Sequence, residues 1–231
     1  MNENDAQRLM NETRDSYNQM SGEFSASRAR FWEELEFLKE HATHDDHVLD
    51  IGCGNGRFSP LIKERHARYT GIDYSEKLIA EAKHMHPDTE FLVSDGKTIP
   101  FPDHSFDIAY SFAVLHHIPS EALRAKFIQE IGRVLHPDGI LVLTVWNLWR
   151  AKYFGRLLKT AFGKILGKNS FDIGDIMLTF GKEKRPRYLH AFTENELRAL
   201  LEANGFAIQG IDIIARSSKE ENIVLVARKV A

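Results

Sequence analysis

Apolar positions fall in short runs along this chain, separated by amphipathic stretches, and the runs set the reading of the fold. His47-Val48-Leu49-Asp50-Ile51 is a short buried strand that leads straight into Gly52-Cys53-Gly54-Asn55-Gly56. A helix is expected from about Arg57 to Arg65. Tyr69 to Ile72 reads as a second strand ending in Asp73, and Ser75 is placed to cap a helix from Glu76 to Met85. Phe91-Leu92-Val93 is a third strand, followed by Ser94-Asp95-Gly96, and Phe106 to Ala113 is a fourth. Glu121 to Leu135 has a helical amphipathic period, His136-Pro137-Asp138-Gly139 reads as a turn, and Ile140 to Trp146 is a strongly apolar strand. Strands alternating with helices across short loops predict an α/β fold with a parallel, doubly wound sheet.

The flanks carry weaker signals. The first forty residues read as helical, with Phe31, Trp32, Leu35, Phe37 and Leu38 on one face. Thr193 is expected to cap a helix, with Glu196 completing a capping box and Gly205 closing the far end. Phe206 to Ile214 and Asn222 to Arg228 look like a closing antiparallel pair, while Lys164 to Ser170 and Gly181 to Pro186 read as linkers. The expected plan is one domain: helices over 1–45, a cofactor-binding core over 46–147, an insert or lid over 148–187, and a closing helix and strands over 188–231.

Composition narrows the function. With 231 residues, 43% of them hydrophobic, the chain suits one domain with a sizeable core. The longest apolar run, Gly139 to Trp149, is broken by Thr144 and Asn147 and is too short for a membrane span. The polar, acidic start does not read as a signal peptide, so the cytoplasm is the expected location. A single cysteine, Cys53, leaves no intramolecular disulfide and no cysteine-based zinc site, and nothing calls for a metal. The net charge of −3 hides a division: residues 148–187 hold ten Lys or Arg against three acids, so +7 sits on a remainder of −10. A basic segment on an acidic body is a candidate contact surface for an anionic partner. Its stretch from Trp149 to Leu166 groups apolar residues opposite Lys152, Arg156 and Lys159, so a peripheral membrane contact or a lid is the competing use.

The glycine turn carries the chemistry. A dinucleotide fingerprint would need a third Gly or Ala at position 57, where Arg57 stands. Asp50 at the strand's end would repel a pyrophosphate, whereas it suits the sulfonium and ammonium of S-adenosylmethionine. Asp73, ending the second strand, can accept both ribose hydroxyl protons, and Asp95 is placed to accept from an adenine amino group. Cys53 reads as a small filler, since methyl transfer from a sulfonium needs no nucleophilic thiol.

Val48 to Gly56 resembles motif I of class I methyltransferases; Ile99-Pro100-Phe101-Pro102-Asp103-His104-Ser105-Phe106-Asp107 and Arg133-Val134-Leu135-His136-Pro137-Asp138-Gly139 resemble their segments before the fourth and fifth strands. The resemblance implies a Rossmann-like seven-stranded sheet in the order 3-2-1-4-5-7-6, with the last strand antiparallel. It also implies S-adenosylmethionine as donor and S-adenosylhomocysteine as product, with Tyr17, Arg28, Asp50, Gly52, Gly54, Asn55, Asp73, Tyr74, Asp95, Gly96 and Ser111 around the donor.

A narrower likeness joins it. Tyr17, Phe24-Ser25-Ala26-Ser27-Arg28 and Trp32, then Ala113-Val114-Leu115-His116-His117, Val145-Trp146 and Arg187-Tyr188-Leu189-His190-Ala191-Phe192 are similar to signatures of the wobble-uridine tRNA carboxymethyl methyltransferases. That group's Asp-Val-x-x-Pro-Trp reads Asp175-Ile176-Met177-Leu178-Thr179-Phe180 here, and its C-terminal Asn-Trp reads Asn222-Ile223. The likeness implies Arg28, His116, His117, Arg187 and His190 as catalytic candidates, a tRNA acceptor and a small activating protein partner. Arg28 and Arg187 would hold an acceptor carboxylate, Arg28 alternatively the donor's own carboxylate; His116 or His117 would serve as base for a phenol or ring carbon. A small-molecule or quinone-like acceptor, and a donor-binding protein without chemistry, are the alternative readings.

Overall fold

The computed structural model describes the chain except residues 29, 96, 168, 181–184, 218–219 and 231, and except the side chains of 180 and 216–217. Gly96 therefore lies outside the described residues.

Five parallel strands form the centre: β1 His47–Ile51, β2 Arg68–Asp73, β3 Glu90–Val93, β4 Phe106–Phe112 and β5 Leu135–Trp146. Of the C-terminal pair, β9 Glu220–Lys229 adds antiparallel to β5, and β8 Phe206–Ser217 adds antiparallel to β9. The seven-stranded order is β3-β2-β1-β4-β5-β9-β8, which is the expected 3-2-1-4-5-7-6, because β8 and β9 are the sixth and seventh strands of this sheet. Alternation within strands feeds two cores, one on each face. Leu49, Ile51, Leu141 and Leu143 pack with Ile128 and Ile131 of α5 (Glu121–Val134) and Leu197 of α7 (Glu194–Glu202). Val48, Ile108, Tyr110 and Val142 pack on the other face with Ile62 of α3 (Ser59–Lys63) and Ile79 and Ala82 of α4 (Glu76–Met85). A strand buried on both faces reads as a continuous apolar run, which is why β1 and β5 were legible without alternation.

The caps are as read: Ser75 accepts from the Leu78 amide and Thr193 from the Glu196 amide. Several expectations need correction. The N-terminal segment is not one helical face but α1 (Glu3–Gln19), α2 (Ser21–Ser27) and a 3₁₀ stretch over Glu33–His41, in which Leu35 and Leu38 are buried and Phe37 is 51% exposed. Among the described residues, none between β3 and β4 is helical. That loop is pinned instead by Arg133, which donates to the carbonyls of Ile99 (2.8 Å) and Phe101 (2.9 Å) and to Asp103 (2.8 Å). Two motif segments are thus one structural device. His136–Gly139 is not a separate turn but the irregular start of β5, with Asp138 at φ 63°. A Cβ at Gly139 would stand 2.9 Å from the His136 carbonyl and 3.1 Å from that of Asp107, so only glycine fits.

Of the two expected linkers, 168 and 181–184 lie outside the described residues, while Lys164 and Ile165 end a helix. After α6 (Ala151–Ile165), β6 (Asp175–Phe180) pairs antiparallel with β7 (Arg185–His190), placing Arg185 and Pro186 in a strand. Leu157, Ile176, Leu178, Leu189 and Leu148 form a third small core, with Trp146 and Tyr153 packed against it. Among the described residues, no helix is long and apolar enough to cross a membrane.

Candidate active site

At the C-terminal ends of the parallel strands lies a cavity of about 1530 Å³, open to solvent. Such a crevice is where open α/β sheets bind their ligands. Its floor is the glycine turn. Gly52 and Gly56 have φ of 75° and 76°, and a Cβ on Gly52 would sit 2.2 Å from Val114 Cγ2. The turn's backbone is tied to β2, because the Gly52 and Cys53 amides donate to the Ile72 carbonyl at 2.8 and 3.0 Å.

Asp73 occupies the end of β2 on the cavity wall, one oxygen accepting from the Gly54 amide (2.9 Å) and the other from the Ser75 amide (2.8 Å). Burial raises its carboxyl despite these amides. Each oxygen keeps a lone pair, which is what a ribose diol requires. Asp50 is buried on the same floor, pushed up to about 7 by burial and held by the Tyr69 hydroxyl at 2.6 Å. A cation brought into the cavity would draw it back to the ionised form. Tyr74 and Asp95 also line the cavity. Asp95 is exposed, and its Oδ1 accepts from the amides of Lys97 (3.0 Å) and Thr98 (3.4 Å), closing its own loop.

The opposite wall is cationic and aromatic. Arg28 packs over the Phe24 ring at 4.4 Å, and Arg187, 5% exposed, lies over the Trp146 ring at 4.7 Å. All four line the cavity, along with Tyr17 and His117. Burial, reinforced by Arg187, lowers the Arg28 guanidinium from its ordinary range. His117 is enclosed and its role is fixed by its neighbours. Its Nδ1 faces the Tyr188 carbonyl (3.4 Å) and so donates; Nε2 accepts from the Tyr17 hydroxyl (3.2 Å), to which Arg187 donates at 3.5 Å. Burial, with Arg187 nearby, pushes the imidazole down to about 3.

The remaining sequence candidates lie elsewhere. His116 is buried away from the cavity, its Nδ1 accepting from the Trp146 amide at 3.3 Å, and burial lowers it well below the usual imidazole range. The two adjacent rings stay in contact, their centroids 4.5 Å apart, but only His117 lines the cavity. His190 is no cavity residue either: both ring nitrogens meet carboxylates, Asp175 and Glu196, each at 2.7 Å. Burial opposes its charge, but the two carboxylates outweigh it and raise it, so His190 serves structurally, tying the end of β7 to β6 and α7. The Glu196 carboxylate that the capping box would have used is spent there. Asn55 is buried beneath the turn, donating to the Arg28 carbonyl at 3.2 Å, and Ser111 is fully enclosed in β4; neither lines the cavity. Sequence reasoning missed Phe31 and Phe112 of the aromatic wall and the rim cations Arg14 and Lys126, since none stands in a motif that specifies a ligand, and it met Phe24 only as part of the signature that carries Arg28.

The known proteins agree with this geometry. A family model described as a methyltransferase domain matches residues 49–143. A protein of Encephalitozoon cuniculi, named only as a methyltransferase, is 31% identical over 92% of this chain and 93% of its own length. The tRNA (carboxymethyluridine(34)-5-O)-methyltransferase of Arabidopsis thaliana is 34% identical over 56% of this chain, which spans 31% of that protein. Among solved structures, an S-adenosylmethionine-dependent methyltransferase from Methanosarcina mazei superposes with a TM-score of 0.74 at 26% identity, over 87% of this chain and 99% of that one. With the Encephalitozoon cuniculi relative matched over nearly its whole length and the shared fold, the chain belongs to the class I S-adenosylmethionine-dependent methyltransferases.

Proposed function

We propose that the acceptor is a carboxylate carried by a uridine in a tRNA anticodon loop. The observation that carries this reading is the pair of guanidiniums, Arg28 and Arg187, on one wall of one cavity, where the neighbouring His117 is engaged by Tyr17 and pushed down to about 3. The likeness to the carboxymethyluridine enzyme supplies the nucleotide.

S-adenosylmethionine supplies a methyl group activated by its sulfonium. Asp73 would hold the ribose, Asp50 would face the cationic end, and the apolar wall would exclude water. An acceptor oxygen attacks the methyl carbon, the C–S bond breaks with its electron pair on sulfur, and no proton moves. Arg187 would fix the carboxylate while leaving one oxygen in line. Arg28 stands to grip this carboxylate or that of the donor. The rim cations Arg14, Arg57 and Lys126 face incoming phosphates. Mass spectrometry of tRNA nucleosides from cells with and without the gene tests the reading directly, with any activating protein present. Loss of a methyl ester on a wobble uridine is the expected result; unchanged nucleosides would refute it.

A second reading, an amphiphilic small-molecule acceptor, is favoured by the exposed apolar side of α6 described below. The pH dependence of the chemical step divides the two. A carboxylic acid with a pKa near about 4 is already ionised, so the rate should be flat from about pH 6 to 9. A phenol or ring carbon needs a base, and a rate climbing through about 6.5 and collapsing in His117→Ala would move the enzyme to the second class.

Donor binding has its own test. Asp73→Ala should lose charge-assisted hydrogen bonds worth roughly 1.5–3 kcal/mol, a ten- to hundredfold drop in S-adenosylhomocysteine affinity by calorimetry. Unchanged affinity would remove Asp73 from the donor site.

A further inference from the structure

Helix α6 is held to the body by a narrow strip. Leu157 is its one fully buried residue, seated on the small core of β6 and β7, with Tyr153 partly covered beside it. Its large apolar side chains otherwise face solvent: Phe154 is 55% exposed, Leu158 44%, Phe162 61% and Ile165 77%. At the α-helical repeat these four fall within an arc of about 80°, over a length of about 16 Å. Lys159, Lys152 and Arg156, all exposed, occupy an arc that begins roughly 60° further round. No acid occurs between Ala151 and Ile165.

From this we infer that α6 is a docking element for an anionic lipid surface, lying in the headgroup plane with Phe154, Leu158, Phe162 and Ile165 inserted. Two features select that occupant. An apolar ridge gains nothing from RNA phosphates, which are fully hydrated, whereas an acyl boundary takes it up while the neighbouring cations stay among the headgroups. A second copy of this chain, packed ridge to ridge about a twofold axis, would bring two Lys152-Arg156-Lys159 rows alongside each other, and like charges oppose that. The helix's charge agrees. Helix α6 itself holds four Lys or Arg and no acid, so a negative surface attracts it before contact.

The consequence for the enzyme is positional. Trp146 packs against the core beneath α6 and also lines the cavity, and Arg187 of β7 stacks on it, so the docked helix lies one layer from the acceptor wall. The inference does not depend on which acceptor is used.

The test is sedimentation of the full chain with vesicles of phosphatidylcholine alone and of phosphatidylcholine with phosphatidylserine. Binding should be strong to the anionic vesicles at low salt, weak to the neutral ones, and reduced as salt rises. The double variant Phe154→Ser/Phe162→Ser should bind at least about tenfold more weakly, and Lys152→Gln/Arg156→Gln/Lys159→Gln should lose the preference for anionic lipid. Unchanged S-adenosylhomocysteine affinity in both variants shows that they are folded. Absence of vesicle binding by the parent chain overturns the inference. So does a concentration-dependent dimer, seen by light scattering, that the double serine variant abolishes, because the apolar arc would then belong to a second copy. Protection of the same phenylalanines by tRNA instead of lipid would assign the face to RNA.

Discussion

Truncation of Arg187 to alanine should lower single-turnover methylation of a carboxylate acceptor by about 10²-fold, the cost of losing the group that holds the attacking oxygen in line with the methyl carbon. S-adenosylhomocysteine affinity should stay close to that of the parent. The expectation rests on where the guanidinium is held. It is nearly buried, flattened on the Trp146 indole at 4.7 Å, and bonded to the Tyr17 hydroxyl, so its orientation is set before an acceptor arrives. A misplacement of about 1 Å between attacking oxygen and methyl carbon costs on the order of 10²-fold, so fixing a flexible carboxymethyl arm accounts for much of the effect. Arg187→Lys keeps a charge but loses the planar fork, and it should recover only part of the rate. A purely structural Arg187 would behave differently: loss in the alanine variant would track donor affinity and stability, and lysine would recover nothing. Equal losses in turnover and donor affinity would therefore move Arg187 out of the acceptor wall.

What the sequence disclosed and what it hid follow from the range of the interactions involved. Strand β1, the glycine turn, α4 with its Ser75 cap and the strand-end acids were legible because each is determined locally, by period, φ or capping chemistry. The 3-2-1-4-5-7-6 order came from family likeness; nothing in periodicity specifies which strands become neighbours. The β6–β7 hairpin was missed because its polar, lysine-rich approach looks like a linker, and its stability comes from packing against α6 and Trp146.

The histidines show the same limit more sharply. His116, His117 and His190 carry one side-chain chemistry, and only tertiary surroundings separate them. One is buried behind Trp146, one is bonded to Tyr17 from a hundred residues away, and one is clamped by Asp175 and Glu196. The Asp175–His190 pair was beyond sequence reasoning, because a fifteen-residue spacing across a hairpin matches no catalytic or metal pattern. Arg57, read only as the residue that breaks a dinucleotide fingerprint, lies 3.8 Å over the Trp32 ring at the cavity rim.

The enclosure that disqualifies His117 as a base should also be visible in stability, and with a definite sign. An imidazole near 6.5 in the unfolded chain and pushed down to about 3 in the fold takes up its proton more readily when unfolded. Its contribution is complete above pH 6.5 and is lost as pH falls towards about 3, at about 1.4 kcal/mol per unit and about 5 kcal/mol in all. His116, lowered for the same reason, acts in the same direction. Two groups oppose them. Asp50, raised from 3.8 to about 7, contributes stability at low pH that disappears as pH rises through 7. His190, raised by its two carboxylates, contributes below 6.5 and loses that contribution as pH rises through its folded value. The parent chain's pH–stability curve is therefore a composite in which opposite slopes offset one another, and it does not isolate His117. The difference between parent and His117→Gln does, because glutamine can still accept from Tyr17 and donate to the Tyr188 carbonyl but does not titrate. Denaturant unfolding of both proteins from pH 7.5 down to 5 should give a parent-minus-variant difference that is constant above pH 6.5. Below that it should fall by about 1.4 kcal/mol per unit, so that the variant becomes relatively more stable in acid. Parallel curves across the whole range would mean that His117 is hydrated in the folded protein. A hydrated His117 would again be available to take a proton from an acceptor.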